Sequence, residues 1–188
     1  MSKIDRSASS ATTDARLEAG EVVTRFLSEE GGTGVEAKAR VDAKPEEVYA
    51  VVTDYEHYPD FIPSLVDAKV LEWESDDVCI LMEKLKVAFK TVEYTIRVTH
   101  DRENLTTRWV RHGGFLSRNE GGWKCGPCGK GRSLVTYRVA VEAGILVPQF
   151  IIDRLSRGSL PELFAGLRKR VGELRAGEHR DKAAGRRH

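Results

Sequence analysis

Six strand-like segments follow one another between Ser64 and Glu142, separated only by very short polar or glycine-containing breaks. The segments are LVDAKVLEWE, DVCILMEKLKVAF, KTVEYTIRVTH, LTTRWVRH, FLSRNEGGWKC and RSLVTYRVAVE. Breaks this short leave no room for crossover helices, so strands that follow one another along the chain are expected to pair antiparallel. The succession therefore excludes a parallel α/β fold and predicts an antiparallel sheet.

The residues before this region predict another hairpin and two short helices. EVVTRFL and VEAKARV flank SEEGGTG, whose glycines suit a chain reversal. In the following stretch DAKPEEVYAVVTDYEHYPDFIP, Pro45 fits a first helical turn, and Val48, Val51 and Val52 recur at helical spacing. Pro59 indicates that a second short helix follows the first instead of continuing it.

A long amphipathic helix is predicted at the C-terminal end, from near Val147 to Leu174, with an interruption at GSLPEL. Ser159 is a suitable N-cap for its second part. The apolar stripe of this part consists of Leu160, Leu163, Phe164, Leu167, Val171 and Leu174. A sheet and a helix that each have one apolar face bury those faces against each other. We therefore predict an α+β fold in which a curved antiparallel sheet of about seven strands wraps around the C-terminal helix, with two short helices between the first strands.

The length of 188 residues indicates one domain with unstructured ends. Residues 1–17 are rich in Ser, Ala, Thr and Asp and contain little to bury, so a disordered segment is predicted there. The charged, glycine-containing residues 176–188 are predicted to form a disordered tail. Residues 18–175 are then predicted to form the folded domain.

Composition excludes several classes of protein. The chain contains 30 Lys and Arg residues and 29 Asp and Glu residues, and the resulting net charge of +1 argues against a dedicated nucleic-acid binder. No apolar stretch approaches the 18 residues of a transmembrane helix, and the first residues lack a signal-peptide core, so we expect a cytoplasmic protein. The basic residues on and after the last helix either make transient contact with acidic membranes or RNA, or form a solvated face, which is the favoured interpretation.

A strongly curved sheet around one helix does not always close on every side chain, and the remaining gap would be a hydrophobic cavity. The inward side of the strands and the last helix predict a wall of Phe61, Tyr94, Trp109, Tyr137, Phe150 and Leu155. The alternative is that the same residues fill a solid core.

Glu83 and Lys84 interrupt the apolar run of the second strand-like segment. If one of them points inward, it needs a partner, because desolvating a charge is costly, and Arg108 or Arg111 is a candidate. The favoured alternative is a β-bulge that returns both charges to water.

Two other groups of residues resemble reactive sites. The segment W-x-C-G-P-C, with Cys125 and Cys128, is similar to a redox motif, but it lies between two strands, where a hairpin turn with incidental thiols is favoured. A zinc site needs four ligands, and Cys79 and His112 are the remaining candidates, so we expect no metal and no cofactor. His112 is also a candidate acid or base in the cavity, although a solvated histidine at a strand end is favoured.

Residues about 34–174 resemble the polyketide cyclase/dehydrase and lipid-transport family of the START-like helix-grip superfamily. The resemblance is strongest in DAKPEEVYAVVTDYEHYPDFIPSLVDAKVLE, GGWKCGPCGKGRSLVTYRVAVE and SLPELFAGLRKRV. The most characteristic positions are Ala43, Glu46, Val48, Asp54, Tyr55, Tyr58, Pro59, Phe61 and Pro63.

Three functions are compatible with this resemblance, because the superfamily uses one scaffold for several activities. The leading hypothesis is a binder or carrier of a hydrophobic small molecule such as a lipid, a quinone or a polyketide-like aromatic. The second is an aromatase/cyclase-type enzyme, for which His112, Glu83 and Arg108 are the catalytic candidates. The third is a protein-interaction module whose partner the sequence does not identify.

Overall fold

Eight antiparallel strands form one sheet in the computed structural model, which describes residues 12–29, 32–87, 90–142 and 159–184. The strands are β1 Val23–Glu29, β2 Gly32–Val41, β3 Leu65–Ser75, β4 Val78–Val87, β5 Lys90–Asp101, β6 Thr106–Gly114, β7 Arg118–Pro127 and β8 Ser133–Glu142. Their order in the sheet is β1-β2-β8-β7-β6-β5-β4-β3. Each of the six predicted segments forms one strand, and the chain belongs to the predicted α+β class.

The sheet has eight strands, whereas the sequence predicted about seven, because both arms of the first hairpin join it. Strand β2 pairs with β8 over nine residues, from Thr33 opposite Val141 to Val41 opposite Ser133, and β1 pairs with the other edge of β2. Three register shifts interrupt the pairing of β3 with β4, and another lies between β5 and β6. Bulges of this kind bend a strand, and they accompany the curvature that lets the sheet enclose a helix.

Helix α2 (Pro45–Val52) and the 3-10 helix Tyr55–Asp60 lie between β2 and β3, as predicted. Pro45 occupies the first turn of α2, and the Glu47 carboxylate accepts a hydrogen bond of 2.6 Å from the Lys44 backbone N–H. This bond satisfies one of the backbone donors left free where a helix begins. The apolar side of α2 is buried in the core.

Helix α3 (Leu160–Ala184) lies against the inner face of the sheet. Its buried side chains are those of the predicted stripe except Leu174, which is 39% exposed: Leu160, Leu163, Phe164, Leu167 and Val171. Gly166 lets α3 approach the end of the 3-10 helix closely, because a Cβ atom at position 166 would lie only 2.7 Å from the Phe61 carbonyl oxygen. The helix continues to Ala184, so residues 176–184 are not the disordered tail that the sequence predicted. Ala, Glu, Arg and Lys make up six of these nine residues and favour helix by their intrinsic propensity.

The N-terminal segment also differs from the prediction. Residues 12–18 form a helix, α1, whereas disorder was predicted for 1–17. Leu17 is only 3% exposed, and Glu18 forms an ion pair with Arg40 of β2. Arg168 of α3 donates a hydrogen bond of 3.0 Å to the Gly20 carbonyl oxygen. Leu17 and these polar contacts therefore attach α1 to the rest of the fold, although the composition of residues 1–17 suggested little to bury.

Candidate functional site

A cavity lies between the inner face of the sheet and helix α3. Its volume is about 250 Å³, near the lower end of the roughly 300–1,000 Å³ that is typical of small-molecule sites. The lining is mostly apolar and aromatic and includes Tyr58, Leu81, Leu85, Ile96, Trp123 and Leu163. The sheet and the helix therefore do not close on a solid core, and the space between them can hold a small apolar molecule.

The cavity wall contains part of the predicted set. Tyr94, Trp109 and Tyr137 line it. Phe61 is buried but packs beside Gly166 of α3 and is not among the lining residues. Phe150 and Leu155, the two predicted wall residues from the last helical region, lie outside the described residues.

Glu83 faces the cavity and is 8% exposed. It lies on β4 opposite Tyr94 of β5, and the two side chains are hydrogen-bonded. Burial raises the pKa of the Glu83 carboxyl to about 7, although the hydrogen bond from Tyr94 acts in the opposite direction. Burial and the neighbouring carboxyl raise the pKa of the Tyr94 hydroxyl, which stays protonated. The pair thus places a carboxyl group and a phenol in a mostly apolar wall.

For Glu83 and Lys84, the alternative that one of the two charges points inward is confirmed, whereas the favoured β-bulge and the arginine partner were wrong. Strand β4 pairs with β5 without interruption from Val78 to Val87, so no bulge turns both charges outward, and the irregularities of β3 leave this alternation intact. Glu83 therefore points inward while Lys84 points outward, 3.2 Å from Asp67 and 3.7 Å from Glu93. The partner of Glu83 is Tyr94 and not an arginine.

The two arginines proposed as partners point elsewhere. Arg108 is exposed on the outer face of the sheet. Arg111 is also exposed, and its guanidinium donates hydrogen bonds to the carbonyl oxygens of Gly114, at 3.2 Å, and Leu116. His112 is exposed at the register shift between β5 and β6. Of the three catalytic candidates from the sequence, only Glu83 lines the cavity.

Tyr55, which lines the cavity, and His100, which is buried but is not among the lining residues, form a second polar pair that the sequence analysis missed. The Nδ1–H of His100 donates to the Asp77 carbonyl oxygen at 3.0 Å, because a carbonyl can only accept. Its Nε2 atom then accepts the hydrogen bond from the Tyr55 hydroxyl, at 2.6 Å. Burial lowers the pKa of His100, which favours this neutral form, and the Trp73 ring stacks on the imidazole. His100 continues the inward alternation of Tyr94, Ile96 and Val98, and this signal could have identified it.

A third polar contact orients an aromatic ring in the wall. The indole N–H of Trp109 donates a hydrogen bond of 3.0 Å to the side-chain oxygen of Asn119, which is 4% exposed. Tyr137 packs between two indoles, with ring centroids 5.9 Å from Trp109 and 4.5 Å from Trp123. Burial raises the pKa of the Tyr137 hydroxyl. These contacts fix the rings that shape one side of the cavity.

The cysteine segment forms a hairpin turn between β7 and β8. The Cys128 backbone N–H donates to the Arg132 carbonyl oxygen at 2.9 Å, and Gly129 and Gly131 have positive φ angles of 86° and 69°. Burial raises the pKa of the Cys125 thiol to about 12, which is opposite to the shift that activates a redox cysteine. Within the described ranges, no three His, Cys, Asp or Glu side chains are grouped so as to hold a metal ion.

An antiparallel sheet wrapped around a helix, with an apolar cavity and a few polar groups between them, defines the helix-grip class of proteins. The sequence profile of the family described as polyketide cyclase / dehydrase and lipid transport matches residues 41–168. The chain belongs to this family.

Solved structures with the same fold include relatives of different kinds. A START superfamily protein from Mycobacterium smegmatis has a TM-score of 0.65 at 21% identity, over 75% of this chain and 98% of its own. The Zhui aromatase/cyclase from Streptomyces sp. R1128 has a TM-score of 0.60 at 19% identity, over 77% and 92%. Human StAR-related lipid transfer protein 5 has a TM-score of 0.66 at 15% identity, over 91% and 95%. A comparison with curated protein sequences found no match.

Among the residues that the structure describes, no helix combines the length and the apolar character that crossing a membrane requires.

Proposed function

We propose that this protein binds or carries a hydrophobic small molecule, such as a lipid, a quinone or a polyketide-like aromatic, in the cavity between the sheet and α3. The apolar body of the ligand contacts side chains such as Leu81, Leu85 and Leu163. One polar group of the ligand binds at Glu83 and Tyr94. The observation that carries the proposal is this hydrogen-bonding pair, with a carboxyl group, in a mostly apolar cavity.

The chemistry of the pair suits a carbonyl or hydroxyl group. Below a pH of about 7 the Glu83 carboxyl is protonated, so both it and the Tyr94 phenol carry a hydrogen that can be donated. A buried polar group of a ligand is costly without such a partner, and the pair therefore selects for a ligand with one polar end over a pure hydrocarbon.

Relatives support the same class of function. The family description includes lipid transport, and one protein of the same fold is named as a lipid transfer protein. Sequence identities this low show only that the fold is shared. The argument for a ligand therefore rests on the cavity and its polar pair.

The test compares two leucines. Leu85 lines the cavity, whereas Leu71 is 54% exposed on β3. Replacing Leu85→Trp places a large ring in the cavity, and we expect the affinity for the neutral lipophilic dye Nile red to fall at least about tenfold, because the apolar contacts are lost. Leu71→Trp is the matched control and should bind the dye as the wild type does.

Native mass spectrometry before and after organic extraction complements the titration. Recovery of a lipophilic molecule from the wild-type protein but not from Leu85→Trp supports the proposal. A wild-type protein that carries no such molecule and binds no dye contradicts it.

A second function is favoured by one observation. A carboxyl with a pKa of about 7 beside a phenol is suited to general acid–base chemistry, as an aromatase/cyclase-type enzyme requires. Glu83 is then the proton-transfer group, and Tyr94 is its hydrogen-bonding neighbour. Mass spectrometry of a polyketone incubated with the protein separates the two functions, because a carrier returns the compound unchanged and a cyclase returns a dehydrated product.

A further inference from the structure

The outer face of the sheet contains a second hollow, opposite the cavity and separated from it by the strands themselves. It has a volume of about 420 Å³ and lies over β6, β7 and β8. Its floor is the backbone at Gly121 and Gly122. Each glycine is required by close strand packing, because a Cβ atom would lie 2.2 Å from the Arg138 carbonyl oxygen at Gly121 and 2.3 Å from the Thr107 carbonyl oxygen at Gly122. We call this hollow the outer groove.

The strand register places three cationic side chains around these two glycines. Gly122 lies opposite Arg108 of β6 on one side and opposite Arg138 of β8 on the other. Two strand spacings separate the arginines, which puts their Cα atoms about 10 Å apart. Lys124, two residues along β7, has the same outward direction and lies about 7 Å from Gly122 along the strand. Thr136, opposite Lys124 on β8, adds a hydroxyl group to the lining.

The carboxylates at the edge of the outer groove already have cations of their own. Glu36 lies 3.4 Å from Arg25 and 3.2 Å from Lys38. Glu120 forms an ion pair with Arg118. These pairs leave the interior of the groove positively charged.

Arg108 and Lys124 have no hydrogen bond or ion pair with another residue of the described chain, and both are exposed. Arg97 of the neighbouring strand β5, in contrast, binds Glu74 at 2.7 Å. Lys84 of β4 is likewise paired with Asp67 and Glu93. The difference shows that outer-face cations of this sheet can find carboxylates, and that Arg108 and Lys124 of the groove are left available.

We propose that the outer groove binds a phosphoryl group, either of a small phosphorylated molecule or of a phosphorylated headgroup, through Arg108, Arg138 and Lys124. The guanidinium groups match the geometry of phosphate oxygens, and the glycine floor lets the anion approach between them. The ammonium group of Lys124 supplies a third charge. The binding site is distinct from the apolar cavity, and it does not depend on the function proposed for that cavity.

Calorimetric titration with inorganic pyrophosphate tests the proposal. The double variant Arg108→Gln, Lys124→Gln is expected to bind pyrophosphate at least about tenfold more weakly than the wild type, because two charge-assisted contacts are lost. The matched control is Arg97→Gln, Lys84→Gln, which removes the same two kinds of charge from the same face outside the groove. It should change the affinity by no more than about twofold, because salt screens distant charges. Circular dichroism and thermal unfolding establish that both variants are folded.

Two outcomes would overturn the proposal: no binding of pyrophosphate to the wild type at millimolar concentration, or equal weakening in the groove variant and in the control. A second arm separates the sources of the phosphoryl group in a protein that binds pyrophosphate. Binding to phosphatidylcholine vesicles that contain phosphatidic acid, with competition by pyrophosphate, assigns a headgroup. Pyrophosphate binding without vesicle binding assigns a small soluble molecule.

Discussion

Tyr55 and Tyr94 both line the cavity and each belongs to a buried polar pair, but the two pairs differ in how completely their hydrogen-bonding capacity is used. In the Tyr55–His100 pair, the hydroxyl donates to one imidazole nitrogen and the other nitrogen donates to the Asp77 carbonyl oxygen. In the Glu83–Tyr94 pair, a carboxyl and a phenol share one hydrogen bond in an apolar region and retain unused bonding capacity.

Burial of a polar group therefore does not by itself indicate a ligand site. The imidazole of His100 has both nitrogens occupied and is stacked on Trp73, so the pair fixes the 3-10 helix to strand β5. Glu83 has a perturbed pKa and faces the cavity. We therefore interpret the first pair as structural and the second as the one that contacts a ligand, and three substitutions separate these roles.

The largest expected effect is the pH dependence that Glu83 imposes on stability. Its pKa of about 7 in the folded protein lies above the ordinary 4.5, so the folded state holds the proton more tightly than the unfolded chain does. This contribution is complete below pH 4.5 and is lost as the pH rises through 7, and the two pKa values correspond to about 3 kcal/mol. Glu83→Gln should abolish this loss in urea unfolding measured from pH 4.5 to 8.

The exposed Glu93 on the outer face of β5 provides the control for this series. Glu93→Gln should retain the decline of the free energy of unfolding seen in the wild type. An identical decline in Glu83→Gln would show that another group is responsible and would remove the distinction between the two pairs.

A somewhat smaller effect is expected for the structural pair. His100→Ala removes the acceptor of a buried hydroxyl and should lower the free energy of unfolding by about 2 kcal/mol in urea titrations. The double variant Tyr55→Phe, His100→Ala should be more stable than His100→Ala, because no unpaired hydroxyl remains. His57→Ala, at an exposed histidine that contacts Asp54, is the control and should change little. Strictly additive losses at Tyr55 and His100 would contradict the assignment.

The smallest of the expected changes concerns Tyr94, in the pair that we propose as the ligand contact. The Tyr94 hydroxyl holds the pKa of Glu83 below the value that burial alone would give. Tyr94→Phe should therefore raise the pKa of Glu83, since one hydrogen bond to the carboxylate is lost. The carboxyl signal of isotopically labelled glutamate in NMR titration measures this change. A lower pKa in Tyr94→Phe would show that the hydroxyl does not favour the ionised carboxylate.

Most of the fold follows from local sequence signals. The short breaks between segments predicted the six strands β3 to β8, and Pro45 with its following valines predicted α2. The extents of the terminal segments could not be predicted in the same way. Leu17 and the Glu18–Arg40 pair join elements far apart in the sequence, and the last part of α3 has good helix formers but no apolar stripe.

The candidate site was less accessible to sequence reasoning. Tyr94, Trp109 and Tyr137 follow from strand alternation, but the inward position of Glu83 requires knowing that β4 is regular and that the bulges lie in β3. The pairing of Glu83 with Tyr94 follows from the strand register. Val87 lies opposite Lys90, and four residues away from it on each antiparallel strand Glu83 lies opposite Tyr94. The link between Tyr55 and His100 depends on how the 3-10 helix packs against the sheet, which no local pattern encodes.

The contact at Gly166 has a consequence for how a guest reaches the interior. With only hydrogen on that Cα, the middle of α3 lies against the backbone of Phe61 so closely that no added carbon would fit. The helix is closely packed at this point, whereas Leu160 and Leu163, near its first turn, line the cavity between the sheet and α3. We therefore expect that a ligand enters and leaves the cavity near the beginning of α3, and that the contact between Gly166 and Phe61 stays closed during both steps.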